Sequence, residues 1–214
     1  MADISKGDLI RMELTGRLAS DGSVFESTDE ELAKKAGIWS TASKYGPRLV
    51  IFGKGSMIAG LEEAVPKFEV GKENEIDVPP EKAFGKKYTE LVRVMNQKEF
   101  DKQGVKPTPG LMVTIDGVPA LVKSVSSGRI MLDFNHPFAG QELKYKIKML
   151  EIIKEPEKKA EELARQFEAK IDIKEEGGKK KVVILKGIET SKAKGLEAAL
   201  RACLGNWAEV VIEK

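Results

Sequence analysis

Residues 50–64 read VIFGKGSMIAGLEEA, an apolar run that meets a Gly-Lys-Gly turn and then a helical pattern. The apolar run at 49–52 lies between a proline and a glycine, which is typical of a short buried strand. Ser56 is predicted to begin a helix that Pro66 ends, because proline disrupts a helix interior. The apolar positions of this helix would form one stripe against a sheet: Ile58, Leu61 and Val65.

Further strands are predicted on both sides of this segment. Apolar and polar residues alternate at 8–18 and 73–78, and turn-forming residues precede another short element at 24–25. A helix with an N-capping residue is predicted at 28–36. Residues 143–153 alternate apolar side chains with lysines, which predicts a strand that pairs with the earlier ones. The chain between these strands must therefore form a separate module.

Residues 86–133 are predicted to be that module, since nearly fifty residues are too many for a loop. Turn signals at Asp116-Gly117 and Ser126-Ser127-Gly128 separate β-rich stretches. Strands are predicted at 91–95, 112–116, 120–125 and 129–134.

The pattern changes again after Glu155 and Pro156. Helical periodicity predicts helices at 157–169 and 191–203. Strands are predicted at 170–174, 181–185 and 208–212, the first two as a hairpin around Gly177-Gly178. The tail is therefore predicted to have the element order αββαβ.

Composition and charge exclude several classes of protein. Lys and Arg outnumber Asp and Glu by only 36 to 34, which disfavours a nucleic-acid or acidic-membrane partner. No apolar run approaches the roughly 20 residues of a membrane-spanning helix. The single cysteine, Cys203, cannot form an internal disulfide, and the N-terminus lacks the pattern of a secretory signal. A cytoplasmic location is predicted.

Motif searches argue against covalent and metal chemistry. The chain has no HExxH, GxSxG or phosphate-loop motif, and His136 is its only histidine. Neither a metal site nor a cofactor is therefore expected.

Three segments taken together resemble FKBP-type peptidyl-prolyl cis/trans isomerases: residues 50–64, Val70-Gly71 and the sequence PPEKAFG at 79–85. A module inserted directly after residue 85, followed by DFNHPFAGQEL at 133–143, is similar to the SlyD-type and archaeal long-type branch. The resemblance covers residues 5–153.

The resemblance implies an α+β fold in which an antiparallel half-barrel sheet wraps on a short helix. Residues 1–85 and 134–154 would form a discontinuous isomerase domain, and 86–133 an insert-in-flap chaperone domain. Residues 155–214 would form a C-terminal α+β domain. Relatives with such tails suggest self-association, so a homodimer through the tail is one expectation.

The same resemblance implies a set of pocket residues. Leu14 stands where a tyrosine is frequent, Glu26 replaces an aspartate, and Leu61 and Phe84 replace an indole and a phenol. The full set is Leu14, Phe25, Glu26, Met57, Ile58, Leu61, Phe84, His136, Phe138 and Tyr145.

The implied activity is isomerisation of X-Pro bonds in unfolded polypeptides by a non-covalent hydrophobic pocket, with the insert binding unfolded chain. Candidate client-binding residues are apolar positions of the insert: Leu91, Val92, Val94, Met95, Phe100, Leu111, Met112 and Val113. Packing in the core of the insert is the competing role for these side chains. Two alternative functions stay open, a non-catalytic holdase and a ribosome or RNA adaptor that acts through the tail.

Overall fold

The computed structural model of the protein describes residues 3–101, 104 and 106–213. The chain forms two compact units. The main unit combines the chain up to Val78 with the chain from Leu143 onward, and the insert unit is Pro79–Glu142. Each unit contains its own sheet structure and its own hydrophobic core.

Twelve strands and five α-helices are assigned within the part of the chain that the structure describes. The strands are β1 Leu9–Leu18, β2 Val24–Ser27, β3 Arg48–Ile51, β4 Glu73–Val78, β5 Val92–Asn96, β6 Met112–Ile115, β7 Val118–Ser126, β8 Arg129–Asp133, β9 Leu143–Ile153, β10 Ile171–Glu176, β11 Lys179–Ile184 and β12 Ala208–Ile212. The helices are α1 Glu30–Lys35, α2 Ala59–Ala64, α3 Gln97–Asp101, α4 Pro156–Gln166 and α5 Thr190–Leu204.

A five-stranded antiparallel sheet forms the centre of the main unit. Its order is β2-β1-β9-β4, and β3 also pairs with β1. The long strand β1 therefore has β9 along one edge, and β3 and β2 along successive parts of the other. Because side chains alternate across a strand, Met12 and Leu14 are buried while Glu13 is exposed. The strands predicted at 8–18, 73–78 and 143–153 are confirmed to within one residue at each end.

Helices α1 and α2 of the main unit begin later than predicted. The N-cap of α1 is Asp29, whose Oδ1 accepts the Leu32 N–H at 3.0 Å. Helix α2 begins at Ala59 rather than Ser56, because Gly53 and Gly55 have positive φ and extend the preceding turn to Ile58. Pro66 does not end the helix directly. It lies in the 3₁₀ turn Val65–Lys67 that follows it.

Gly60 allows α2 to lie close to the sheet. A Cβ atom at this position would overlap the Val78 side chain on β4. The next residue of the helix, Leu61, is buried. The apolar stripe predicted for this helix therefore faces the core at Leu61 and Val65, whereas Ile58 is half-buried.

The insert unit contains a four-stranded antiparallel sheet in the order β5-β8-β7-β6. One face of this sheet is covered by Phe100 of α3, a helix that the sequence analysis did not predict. The five residues of α3 are largely polar and too few to show a helical periodicity, so this helix could not be predicted from the sequence. The core side chains are Phe100, Ala120, Val122, Ile130 and Leu132.

The tail has the predicted order αββαβ. Its sheet order is β10-β11-β12, with β12 parallel to β11. The tail shares one hydrophobic core with the central sheet, because Leu9 of β1 and Ile153 of β9 pack with Leu163 of α4 and Leu200 of α5. Within the described residues, no helix has both the length and the apolar character that crossing a membrane requires.

Candidate active site

Two aromatic rings meet over a glycine in the central sheet. The rings of Phe25 on β2 and Tyr145 on β9 have centroids 5.8 Å apart and are mutually perpendicular. Gly16 of β1 lies between these strands. A Cβ atom there would lie 2.6 Å from Cζ of Phe25 and 3.0 Å from Cε1 of Tyr145. Glycine is therefore required at position 16 for this edge-to-face pair to form.

The carboxylate of Glu26 is fixed beside these rings by two donors. The Tyr145 hydroxyl donates to Oε2 of Glu26 at 3.1 Å, and Arg48 of β3 forms an ion pair with Oε1. Burial, reinforced by the charge of Glu26, raises the pKa of the Tyr145 phenol well above its ordinary value. The hydroxyl therefore stays protonated and serves as a hydrogen-bond donor.

The other predicted residues of the main unit differ in burial. Leu14 is buried, and its N–H and C=O both bond to the Thr28 hydroxyl, at 3.0 and 3.2 Å. Met57 and Ile58, which precede α2, are half-buried, and Leu61 is buried. These residues thus belong to the apolar interior and its margin.

Three of the predicted residues form an aromatic cluster in the insert unit. The rings of Phe84 and His136 are stacked, with centroids 4.2 Å apart and planes 7° apart. The Phe138 ring lies 5.6 Å from Phe84 and 5.7 Å from His136. Nδ1 of His136 accepts the Phe138 N–H at 3.2 Å.

Hydrogen bonds and an ion pair join residues 87–88 to residues 133–135 at the base of the inserted sheet. We call this contact the neck of the insert unit. Asn135 donates to the Tyr88 carbonyl and accepts the Tyr88 N–H, both at 2.9 Å. Asp133 is buried, pairs with Lys87 at 2.9 Å and accepts two bonds from Asn135. Burial alone would raise the pKa of Asp133, but the bonds from Lys87 and Asn135 outweigh it and lower the pKa below its ordinary value.

The predicted client-binding residues divide into exposed and buried groups. Val94, Leu111 and Met112 are exposed, while Leu91, Val92, Met95 and Val113 are half-buried. Phe100 is only 3% exposed, so its assignment to the client surface is corrected: it is a core residue of the insert. Three apolar side chains of this unit that were not predicted to bind clients are also exposed: Tyr88, Val118 and Met131.

A groove of about 630 Å³ lies on the main unit, yet only Leu14 of the predicted set lines it. Its walls carry charged residues that include Glu13, Arg17, Asp29 and Lys146. A prolyl ring requires an apolar wall, so the half-buried Phe25 is the better candidate for substrate contact, with the Tyr145 ring, 2% exposed, packed against it.

Arg48 and Gly16 were missed as components of the site. Arg48 could have been found only through the register that places β3 and β2 on the same edge of β1. A glycine inside a strand is a recognised signal of close approach, so Gly16 could have been found from the sequence.

The main unit thus carries an aromatic pair beside a fixed carboxylate on an antiparallel sheet. Comparisons with known proteins specify the class. The FKBP-type peptidyl-prolyl cis-trans isomerase family matches residues 2–109, and the family described as FKBP26, IF domain matches residues 93–138. The chain belongs to the FKBP-type peptidyl-prolyl cis-trans isomerase family, which confirms the predicted family, the α+β fold class and the enzyme class.

Three curated relatives illustrate the similarity. The short-type peptidyl-prolyl cis-trans isomerase of Methanocaldococcus jannaschii is 36% identical over 70% of this chain and 94% of its own length. The FKBP-type 16 kDa isomerase of Escherichia coli is 31% identical over 53% of this chain and 78% of its own length. The SlyD isomerase of Helicobacter pylori is 33% identical over 49% of this chain and 58% of its own length.

Proposed function

We propose that the chain isomerises X-Pro bonds in unfolded polypeptides at the Phe25–Tyr145 site, with no covalent intermediate. The observation that carries this proposal is the perpendicular ring pair next to the fixed Glu26 carboxylate. Rotation about a peptide bond meets a barrier of about 18–20 kcal/mol, because twisting destroys amide resonance. An apolar wall that removes water from the imide disfavours its charge-separated resonance form and so favours the twisted state.

Glu26 is assigned the role of orienting the substrate backbone. Arg48 occupies Oε1 and the Tyr145 hydroxyl occupies Oε2, which fixes the carboxylate plane. Each carboxylate oxygen can accept more than one hydrogen bond. Glu26 can therefore accept a peptide N–H from the substrate without losing either partner.

The remaining predicted residues keep supporting roles in this proposal. Met57, Ile58 and Leu61 are assigned to the floor of the site, and Leu14 to the apolar interior next to it. Phe84, His136 and Phe138 are assigned a contact with substrate, because their rings form an apolar aromatic cluster on the insert unit.

The insert is proposed to bind unfolded chain through the outer face of its sheet. Val94 of β5 lies directly opposite Met131 of β8, and these side chains are 59% and 40% exposed. Met112 of β6 is 51% exposed and pairs with Leu121. Flexible methionines on an open sheet face adapt to apolar segments of varied sequence. Edge strand β5 can also pair with an extended client.

The predicted division into an isomerase domain, an insert domain at 86–133 and a tail domain at 155–214 stays part of this proposal. So does a cytoplasmic location.

Two assays test the proposal on the full chain. A protease-free assay on a short X-Pro peptide should show acceleration over the uncatalysed rate. Refolding of a protein limited by prolyl isomerisation should be accelerated further. Deleting residues 87–132 and bridging the ends should preserve the first activity and weaken the second. Prevention of aggregation with no acceleration of the peptide would instead identify a non-catalytic holdase.

A further inference from the structure

A buried ion pair connects the tail to the central sheet. Nζ of Lys159 on α4 lies 2.8 Å from Oδ1 of Asp8, just before β1. The two residues are 7% and 5% exposed. Removing charges from water is costly unless each is paired, so this contact must be maintained for the tail to pack in place. Helix α4 also forms an ion pair at the surface, between Lys158 and Glu151 of β9.

Asp8 belongs to a turn that is bonded to the end of β3. Its second carboxylate oxygen accepts the Ser5 N–H at 2.9 Å. Its carbonyl accepts the Phe52 N–H, and the Phe52 carbonyl accepts the Gly7 N–H, both at 2.9 Å. The position of Phe52 is therefore tied to the turn that Lys159 holds.

Phe52 leads directly to a contact with α2. The next residue, Gly53, donates its N–H to Oε2 of Glu62 on α2 at 2.8 Å. Gly53 has a φ of 71°, and Cγ of Lys6 lies 2.6 Å from where a Cβ atom would stand. Oε1 of Glu62 is buried and has no hydrogen-bond partner in the described part of the chain. The Gly53 bond is thus the contact that holds this carboxylate in place.

We infer that Lys159 is a positioning residue for the isomerase site. It fixes the Ser5–Asp8 turn, the turn fixes Phe52 and Gly53, and Gly53 fixes Glu62 and with it helix α2. Leu61 precedes Glu62 in that helix and Ile58 is the helix N-cap, so the tail sets the geometry of the floor residues. The inference rests on the floor assigned under Proposed function.

Three variants of the full chain test this inference, by kcat and KM on a short X-Pro peptide far below the unfolding temperature. Lys159→Met should lower kcat/KM roughly three- to tenfold, with faster hydrogen exchange of the Gly53 amide. Lys159→Arg keeps the charge and should recover most of the activity. Lys158→Met removes a surface lysine from the same helix and should behave like wild type. Equal kcat/KM for Lys159→Met and Lys158→Met, with unchanged Gly53 exchange, overturns the inference.

We call the series of contacts from Lys159 through Asp8, Phe52 and Gly53 to Glu62 the relay. A double-mutant cycle tests whether Lys159 acts through the relay or through general loosening of the structure. Glu62→Ala removes the last bond of the relay, so adding Lys159→Met to it should cause little further loss of kcat/KM. Fully additive losses would show that Lys159 acts by another route. Should Lys159→Met fail to fold, the Asp8→Asn/Lys159→Met variant removes both charges, while the side-chain amide oxygen introduced at position 8 can still accept the Ser5 N–H. This double variant should retain the loss of activity, and wild-type activity in it refutes the relay.

Ile58→Ala separates failure of the relay from failure of the proposed site. If Ile58→Ala lowers kcat/KM and Lys159→Met does not, the relay is wrong and the floor assignment stands. Unchanged activity of Ile58→Ala overturns the floor assignment, and the relay with it.

Discussion

The Tyr145 hydroxyl donates to the Glu26 carboxylate across 3.1 Å, joining two strands that do not pair with each other. Strand β1 lies between β9 and β2, and the side chains meet over Gly16. The chain thus carries a phenol on β9, whereas position 14 of β1 is a leucine. The carboxylate therefore obtains its hydroxyl donor from the strand on the other side of Gly16.

Tyr145→Phe should remove this bond and preserve the ring pair. Because the acceptor is a charged group, we expect a loss of about 1–3 kcal/mol in the free energy of unfolding. We also expect a fall of roughly three- to tenfold in kcat/KM. Urea unfolding and a protease-free X-Pro peptide assay measure the two effects.

Tyr45→Phe is the matched control for this substitution. The Tyr45 hydroxyl accepts the Ser40 N–H at 3.0 Å, outside the proposed site. Its loss should affect stability and leave kcat/KM unchanged. Equal activity of the two variants would argue against a catalytic role for the Tyr145 hydroxyl.

Gly16→Ala should separate the Phe25 and Tyr145 rings. The added methyl group overlaps both ring edges, so we expect a cost of about 1–3 kcal/mol in stability and a loss of peptide isomerase activity. Gly195→Ala provides a comparison, since its Cβ would lie 2.9 Å from Cε1 of Phe167 in the tail. Reduced activity in both variants to the same extent would mean that overcrowding acts through stability alone.

Phe84→Ala should lower kcat/KM on X-Pro peptides roughly tenfold while the fold stays intact. The expected cause is loss of the face that stacks on His136. Circular dichroism checks the fold. Tyr88→Ala, which removes an exposed ring from the same unit, should retain full activity on the peptide. Wild-type turnover by Phe84→Ala would show that the Phe84 side chain is not part of the site.

Val94→Ser/Met131→Ser should weaken binding of an unfolded client roughly tenfold, because two exposed apolar side chains are lost from one patch. Activity on a short peptide should not change. Val118→Ser makes the same kind of change at a similarly exposed position at the far end of β7. If all of these variants bind a permanently unfolded protein equally well, the Val94–Met131 patch is not the client surface.

Acid should loosen the neck of the insert unit. The pKa of Asp133 is lowered in the folded protein, so its contribution to stability is present above pH ~4, the ordinary range of a carboxyl, and is lost as the pH falls through the folded value. The protection factors of residues 88–96, in which the observed exchange rate is divided into the intrinsic rate at the same pH, should therefore fall on acidification. Asp133→Asn should show fast exchange already at neutral pH and a weaker dependence on pH. Parallel pH profiles for the two proteins would refute this prediction.

Local sequence signals located most elements of the fold. Alternation marked β1, β4 and β9, because one face of each strand is buried. Such signals failed at α3, whose buried residue among the described side chains is Phe100, and at the start of α2, where two glycines prolong a turn. The apolar character of Phe100 was visible from the sequence, but its burial was not.

The sequence by itself determined the family and the order of most elements, because periodicity, turn residues and short motifs are local properties of the chain. Only the tertiary structure decided which groups meet. Arg48, Glu26 and Tyr145 are far apart in the sequence and are joined by the register of four strands. Lys159 reaches Asp8 across 151 positions because the tail shares a core with the central sheet. Contacts of this kind depend on packing between distant segments, and no local pattern specifies them.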